Sequence, residues 1–383
     1  MTFVNSLRRL DATITRRSGA RQVLVDSRTP LNYEMVAPVV RAMAADARVR
    51  FAFTASEEPA RLGAIYRHAP ADTRRIHPSR AALCRWDAYL TSDFMWATLP
   101  RGTARIQMFH GVAGKYGFDA PTTSMRSWDR LFFVNERRLR NFVAAGAIDA
   151  GSDALRLIGM PKVDCLVDGS LRRETVRREF GLDPSRPTVL YAPTWSPASS
   201  LNLLGEALIA RLRRLPVNLI VKLHDRSLDP RPQYSGGIDW AARVGSNLAK
   251  APNIAPLLVA ADVMISDHSS AAFEFLILDR PLVRIEVPAL LQQANVHPDY
   301  AALLASAADN TRDVDATVAA VERALASPGA GSAARRRVAA DLFHRPGSAT
   351  ARCAAALYEV LELEPHPSFA AHGTGAAACV LST

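Results

Sequence analysis

Four short polar segments interrupt the apolar runs of this chain, and each carries residue types that can bind or move charge. The first is Phe109-His110-Gly111-Val112-Ala113-Gly114-Lys115-Tyr116-Gly117. His110 titrates near neutral pH and can act as a general acid or base. The three glycines let backbone N–H groups approach a phosphate closely, and Lys115 adds a compact point charge. The spacing is neither a Walker motif nor GxGxxG. A tight turn around a hydrogen-bonded histidine is the plainer alternative. The second segment is Val221-Lys222-Leu223-His224. Lys222 and His224 are two residues apart, so on an extended strand they share a face. Two cations at a strand end suit a phosphoryl or pyrophosphate group. Incidental polar residues at the exit of a buried strand would read the same way.

The third segment, Ser266-Asp267-His268-Ser269-Ser270, runs from a strand into a helix. Hydroxyls and free first-turn N–H groups there face one point, and the helix dipole favours an anion. An ordinary N-cap accounts for one serine but not for the whole cluster. The fourth segment is Tyr191-Ala192-Pro193-Thr194-Trp195. Pro193 stops a strand, and Trp195 can cover a base or a sugar, or pack against a neighbouring domain.

These segments need strands to hold them, and the sequence supplies them. Short β-branched runs alternate with amphipathic stretches, the pattern of repeated βα units around parallel sheets. Strands are expected at 22–26, 49–54, 88–91, 105–109, 130–134 and 155–158 in the first half. Helices are expected at 33–45 and 136–145, the second ending at Gly146. After a turn-rich link at Pro184–Pro187 the pattern restarts, with strands at 188–192, 217–223, 263–266 and 282–286. Helices follow at 201–214, 269–278, 316–326 and 348–363. The expected layout is an N-terminal Rossmann-like domain over 1–183 and a second over 184–345. A helix over 346–365 packs back, and a small-residue tail over 366–383 is read as disordered. All four polar segments fall at the carboxyl ends of strands, where open α/β sheets bind ligands.

The bulk properties agree with a two-domain globular protein. The chain has 383 residues, 49% hydrophobic and 22% charged. No run reaches the roughly 20 apolar residues of a membrane span, and no secretion signal is visible at the N-terminus. Cys84, Cys165, Cys353 and Cys379 are far apart and form no CxxC pair, which fits a reducing cytoplasm and argues against a zinc site. The net charge of +10 attracts polyanions, anionic lipid and phosphorylated substrates. Arginines supply nearly all of it and are dispersed, and only 7% of residues are aromatic, which counts against a nucleic-acid-binding stripe. Lysine occurs only at Lys115, Lys162, Lys222 and Lys250. Phe3, Leu7, Leu10 and Ile14 fall at helical spacing among arginines. That helix either packs on its own domain or lies on an anionic membrane surface.

The four segments, in this order, resemble the CDP-glycerol glycerophosphotransferase family of teichoic-acid primases and polymerases. The family's HG-[small]-x-x-K, YAPTW, K-x-H-P and SDYSS-x-x-x-[FY]-[DE] patterns have counterparts here. They are His110-Gly111 with Lys115, Tyr191 to Trp195, Lys222 with His224, and Ser266 to Ser270 with Phe273 and Glu274. Phe343 to Ala349 is similar to the family's closing segment. Four positions depart: His268 stands where Tyr is usual, Asp225 where Pro follows the histidine, Ser196 where Arg often follows the tryptophan, and Lys115 lies one glycine-loop residue off the typical spacing. These leave room for another nucleotide-activated alditol or sugar.

The resemblance implies a GT-B fold, two facing Rossmann-like domains with a cleft between them. It implies transfer of glycerol phosphate from CDP-glycerol to a hydroxyl, lipid-linked or not, with CMP released at the inner membrane surface. It marks His110 and His224 as essential. On this reading His110 is the general base, and Lys222 and His224 stabilise the transferring phosphoryl group. Thr194, Trp195, Asp267, Ser269, Ser270, Glu274, Gly111 and Lys115 hold the donor. No metal cluster or cofactor motif is visible, so cationic side chains and a helix end take the part of Mg²⁺. A nucleotide-sugar glycosyltransferase or a sugar 2-epimerase on the same fold is the alternative, since fold does not fix function.

Overall fold

The structure, a computed structural model, describes residues 19–117, 125–229, 231, 235–251 and 253–367. The expected basic helix at Thr2–Arg17 and most of the expected tail lie outside the described residues. The chain forms two compact units. Among the described residues, the first comprises residues 19–110, 125–164 and 343–367, and the second comprises residues 111–117 and 165–342.

The first unit is built on seven parallel strands: β1 Arg21–Asp26, β2 Val49–Thr54, β3 Arg74–Arg75, β4 Ala88–Thr91, β5 Ala104–Met108, β6 Arg130–Phe133 and β7 Leu155–Leu157. They lie in the order β3-β2-β1-β4-β5-β6-β7. The central strands are apolar on both faces because helices cover both sides; Val23, Leu24, Val25, Leu90, Ile106, Phe132 and Phe133 are all fully buried. Strand order reverses between β1 and β4, so the crevice at their carboxyl ends is where this topology places a ligand.

The second unit has five parallel strands, β8 Thr188–Tyr191, β9 Asn218–Val221, β10 Val263–Ser266, β11 Leu282–Ile285 and β12 Asp309–Thr311, in the order β12-β11-β10-β8-β9. Its core joins the inner faces of these strands to the helices Ser200–Leu212 and Val314–Ala326 through Val189, Leu208, Leu212, Ile265, Val283 and Val321. Here the order reverses between β8 and β10. The polar segments after Tyr191 and after Ser266 therefore emerge side by side.

Two boundaries differ from the sequence reading, and the closing helix, expected to pack back, joins the first unit. The helix Arg173–Glu179 belongs to the second unit, because it packs on the helix Ala255–Ala260 and Arg173 pairs with Asp262. The closing helix Ala349–Val360 belongs to the first unit. Asp164 caps its start, accepting from Gly347 N, Ala349 N and Thr350 N at 2.7, 3.1 and 2.7 Å. Tyr358 donates to Asp46 at 3.0 Å near its end. Finally, the segment 111–117 belongs to the second unit, although His110 belongs to the first.

Candidate active site

In the first unit His110 follows β5 at its carboxyl end. Its Nδ1 faces the carbonyl oxygen of Ser92, which follows β4. A carbonyl only accepts, so Nδ1 carries the proton and Nε2 keeps its lone pair. Burial lowers the His110 pKa, and Arg138 and Lys162 push the same way, against Asp93 and the Ser92 hydrogen bond. The ring is therefore neutral at pH 7, with Nε2 ready to accept a proton. Ser92 is itself fixed, its hydroxyl donating to Asn32 O at 2.9 Å. Asp93 faces Arg28 at 3.4 Å.

In the second unit the segment after His110 is held as a fixed loop. Gly114 has φ +60°, and a Cβ there would stand 2.4 Å from the Tyr300 ring, so only glycine fits. Its carbonyl accepts from His297 N at 2.8 Å, and Tyr116 N donates to Ala294 O at 2.9 Å. His268 Nε2 donates to Ala113 O at 2.7 Å. A Cβ on Gly111 would meet Ser270 Oγ at 3.4 Å, which sets the start of the loop against the helix Ser270–Leu276.

That loop delivers Lys115, whose Nζ donates to Thr194 Oγ1 at 3.0 Å. Burial lowers the Lys115 pKa to about 8, opposed by the charge of Asp267. Asp267 is buried and fully engaged: it accepts from Thr194 N at 2.8 Å, Ser200 N at 3.0 Å and Ser200 Oγ at 2.9 Å. Its work is to clamp the segment after β8 to the segment after β10. Ser269 is the N-cap of its helix, accepting from Ala272 N at 3.1 Å and bonding Ser266 Oγ at 3.0 Å. Its hydroxyl is spent locally, whereas Ser270 is half-buried with its Oγ beside Gly111. Glu274 lies buried one helical turn beyond Ser270.

The β9 end differs from the expectation. The strand stops at Val221, so Lys222 and His224 are not on one strand face. Lys222 Nζ donates to Leu223 O at 2.8 Å. His224 instead caps the short turn Asp225–Leu228, its Nδ1 accepting from Arg226 N at 3.1 Å. That bond puts the proton of the neutral ring on Nε2, the reverse of His110. His224 is exposed at the surface. Surrounding protein atoms nonetheless cost its charged form hydration and lower its pKa to about 4, with Arg226, Lys222 and Lys115 adding to the effect and Asp225 opposing it. The Arg226 guanidinium lies 4.2 Å from the centre of the Trp195 ring, and the His224 ring lies 6.2 Å from it. Trp195 is thus half-exposed, with the Arg226 cation over its ring and the neutral His224 ring beside it.

The second unit therefore gathers Gly111, Lys115, Thr194, Trp195, Lys222, His224, Asp267 and Ser270 around the reversal of its strand order. Lys115, Lys222 and Arg226 supply positive charge there. Sequence reasoning missed Arg226, Ser200 and the loop anchors at residues 294–300, and in the first unit it missed Ser92, Asp93 and Arg28. The run Thr91-Ser92-Asp93 at a strand end was the available signal.

Comparison with known proteins bears on the fold and the family. A stretch of 160 residues is 26% identical to the teichoic acid glycerol-phosphate primase of Bacillus spizizenii. It covers 41% of this chain and only 40% of that relative's length. The fold resembles that of the wall teichoic acid polymerase TagF, with a TM-score of 0.68 over 94% of each chain at 14% identity. It also resembles UDP-GlcNAc 2-epimerase from Neisseria meningitidis bound to UDP-GlcNAc, with a TM-score of 0.56 at 12% identity over 89% of this chain and 100% of that one. At such identities the likeness concerns the fold alone, which is GT-B. The family model described as CDP-glycerol:poly(glycerophosphate) glycerophosphotransferase matches residues 32–287. Because that match runs from the first helix of the first unit past the end of β11 in the second, the chain belongs to the CDP-glycerol:poly(glycerophosphate) glycerophosphotransferase family.

Proposed function

We propose that this protein transfers glycerol phosphate, or a closely related polyol phosphate, from a CDP-activated donor to an acceptor hydroxyl and releases CMP. The observation that carries this reading is the cation cluster of Lys115, Lys222 and Arg226 beside His224 and Trp195 at the strand reversal of the second unit. A diphosphate needs such charge, and Trp195 offers a face for the base or ribose. Thr194 Oγ1 accepts from Lys115, which leaves its own hydroxyl proton for a phosphate oxygen. Ser270, Gly111 N–H and the His224 Nε2–H add further donors, while Asp267 and Ser269 hold the segments that present them.

Phosphoryl transfer asks the protein mainly for positioning and charge stabilisation. The acceptor oxygen attacks the phosphorus nearest the polyol, and the bond from that phosphorus to the bridging oxygen breaks. The bridging oxygen leaves with CMP. The acceptor's proton passes to His110 Nε2, the position that the Ser92 carbonyl keeps unprotonated. Lys222 offsets the charge that grows on the transferring group, and the neutral His224 ring donates a hydrogen bond to it from Nε2. A net charge of +10 favours work at the anionic inner face of the cytoplasmic membrane, on a lipid-linked acceptor.

Incubation with CDP-glycerol and an acceptor, followed by chromatography of the nucleotide product, tests the reading. CMP is the expected product. Recovery of CDP would mean that the carbon–oxygen bond breaks instead, as in a glycosyltransferase, and would overturn the phosphotransferase assignment.

A further inference from the structure

The carboxyl end of the first unit's sheet carries a row of polar side chains at one level. Thr54 on β2, Asp26 on β1, Thr91 on β4 and Gln107 on β5 stand in register across the parallel strands, so they share a face. All four are buried. Asp26 is engaged, accepting from Ser56 N at 2.9 Å and Tyr89 OH at 2.8 Å. Among the described residues, however, Thr54 Oγ1 and both amide atoms of Gln107 have no hydrogen-bond partner. Proteins seldom bury such groups unpaired without a use for them.

At the Thr54 end of this row, three strands from Gln107, opens a cavity of about 340 Å³, whose walls include Thr54, Ser56, Glu57, Ser79 and Trp96. That volume is at the small end of ligand pockets, which run from roughly 300 to 1,000 Å³. It suits a single sugar ring better than a nucleotide. Trp96 is 52% exposed, yet it is not loose. The Arg105 guanidinium lies 3.9 Å from the ring centre over one face, and Trp128 meets it edge-on at 5.1 Å. A rigid, exposed indole is a platform for the apolar face of a sugar. Glu57 is held by Arg28 at 2.7 Å, and a carboxylate has capacity left for two neighbouring hydroxyls. The same Arg28 faces Asp93 at 3.4 Å, next to the Ser92 carbonyl that orients His110. The cavity and the base thus share a support.

We propose that this cavity is a carbohydrate subsite that takes one sugar ring of the hydroxyl-bearing acceptor. Trp96 covers the ring's apolar face, and Glu57, Ser56 and Thr54 take its hydroxyls. This rests on the reading of the protein as a transferase to a hydroxyl acceptor.

The test is saturation-transfer NMR on the full chain with methyl β-D-glucopyranoside, N-acetyl-D-glucosamine and glycerol. CDP-glycerol binding is measured on the same samples by calorimetry. Saturation should pass to the ring protons of at least one sugar. Trp96→Ala and Glu57→Gln should each weaken that sugar about tenfold, equivalent to ~1.4 kcal/mol, and leave CDP-glycerol affinity unchanged. Thr54→Val removes an unpartnered hydroxyl, so it should weaken the sugar without lowering the melting temperature. It therefore answers the question even where Trp96→Ala fails to fold. No transfer to either sugar, transfer to glycerol alone, or transfer that survives Thr54→Val and Glu57→Gln would overturn the proposal. Sugar binding by a protein with no affinity for CDP-glycerol would instead sink the donor reading and leave the cavity assignment standing.

Discussion

The Lys115 ammonium should make donor binding depend on pH in a range where few other groups titrate. Burial holds its pKa near 8 in the free protein, so about a tenth of it is neutral at pH 7 and about nine-tenths at pH 9. The diphosphate of CDP-glycerol keeps its charge across this range. If the donor binds only the ammonium form, its apparent affinity falls about tenfold between pH 7 and pH 9, or ~1.4 kcal/mol. The direction follows from linkage: the bound anion raises the lysine pKa, so binding above pH 8 takes up a proton. Isothermal calorimetry at the two pH values, in buffers of different ionisation enthalpy, reads both the affinity and the proton uptake. Lys115→Arg keeps its charge throughout and should flatten the profile. Lys115→Met should bind weakly at both values, also with a flat profile. The reasoning fails if the wild-type affinity is the same at pH 7 and pH 9, or if Lys115→Arg retains the wild-type slope.

His110→Ala should cut turnover by roughly 10²–10⁴-fold, the share of a general base, while calorimetry finds donor affinity unchanged; activity near wild type would remove His110 from that role. Ser270→Ala should weaken CDP-glycerol by about 1.5–3 kcal/mol, the range for a hydrogen bond to a charged group. Ser269→Ala should instead lower the stability by about 1 kcal/mol through the lost cap, and the reverse assignment of these two effects would show the hydroxyl roles to be exchanged. His268 has a folded pKa of about 3, far below its ordinary value, chiefly because it is buried. Its contribution is complete above pH 6.5 and is lost as pH falls toward 3, so about 2 kcal/mol should disappear by pH 5. Urea unfolding at pH 7.5 and pH 5 should show that extra loss in the wild type and not in His268→Gln.

Much of the fold was legible because buried parallel strands are short apolar runs, and Val263–Ser266 or Thr188–Tyr191 can hardly be read otherwise. The edge strands β3, Arg-Arg, and β12, Asp-Asn-Thr, were not, since they are polar and carry no hydrophobic alternation. The helix Ser332–Leu342 was hidden by its arginine run. Yet Arg335 is 3% exposed and pairs with Asp279 at 3.0 Å, a partner that only the fold supplies. At the site, strand ends pointed to Thr194, Asp267 and His110 because chemistry concentrates there. What no spacing could give was the division of labour: Asp267 engages backbone and Ser200, and Ser269 caps, so neither is free for a ligand. Nor could it give the anchors of the Lys115 loop, which come from residues some 180 positions later.

Of the departures from the family pattern, the one at His268 has a physical account in the structure. The position asks for a ring that fills an apolar slot and offers one donor at its far end. His268 is buried, meets Phe273 edge-on at 5.6 Å and donates from Nε2 to Ala113 O. A tyrosine hydroxyl meets the same demand. Imidazole can do so only while neutral, and a pKa of about 3 keeps it neutral. What the exchange leaves behind is Nδ1, buried without a partner among the described residues. That cost falls on stability. His268 holds the loop that carries Lys115 through Ala113, so the exchange acts on the support of that loop. The same logic applies to Asp225, which follows the capping His224 and tempers its three cationic neighbours. A change of donor is therefore better sought around Trp195 and Ser196, where Ser196 Oγ donates to Gln293 at 3.0 Å and an arginine would add reach and charge.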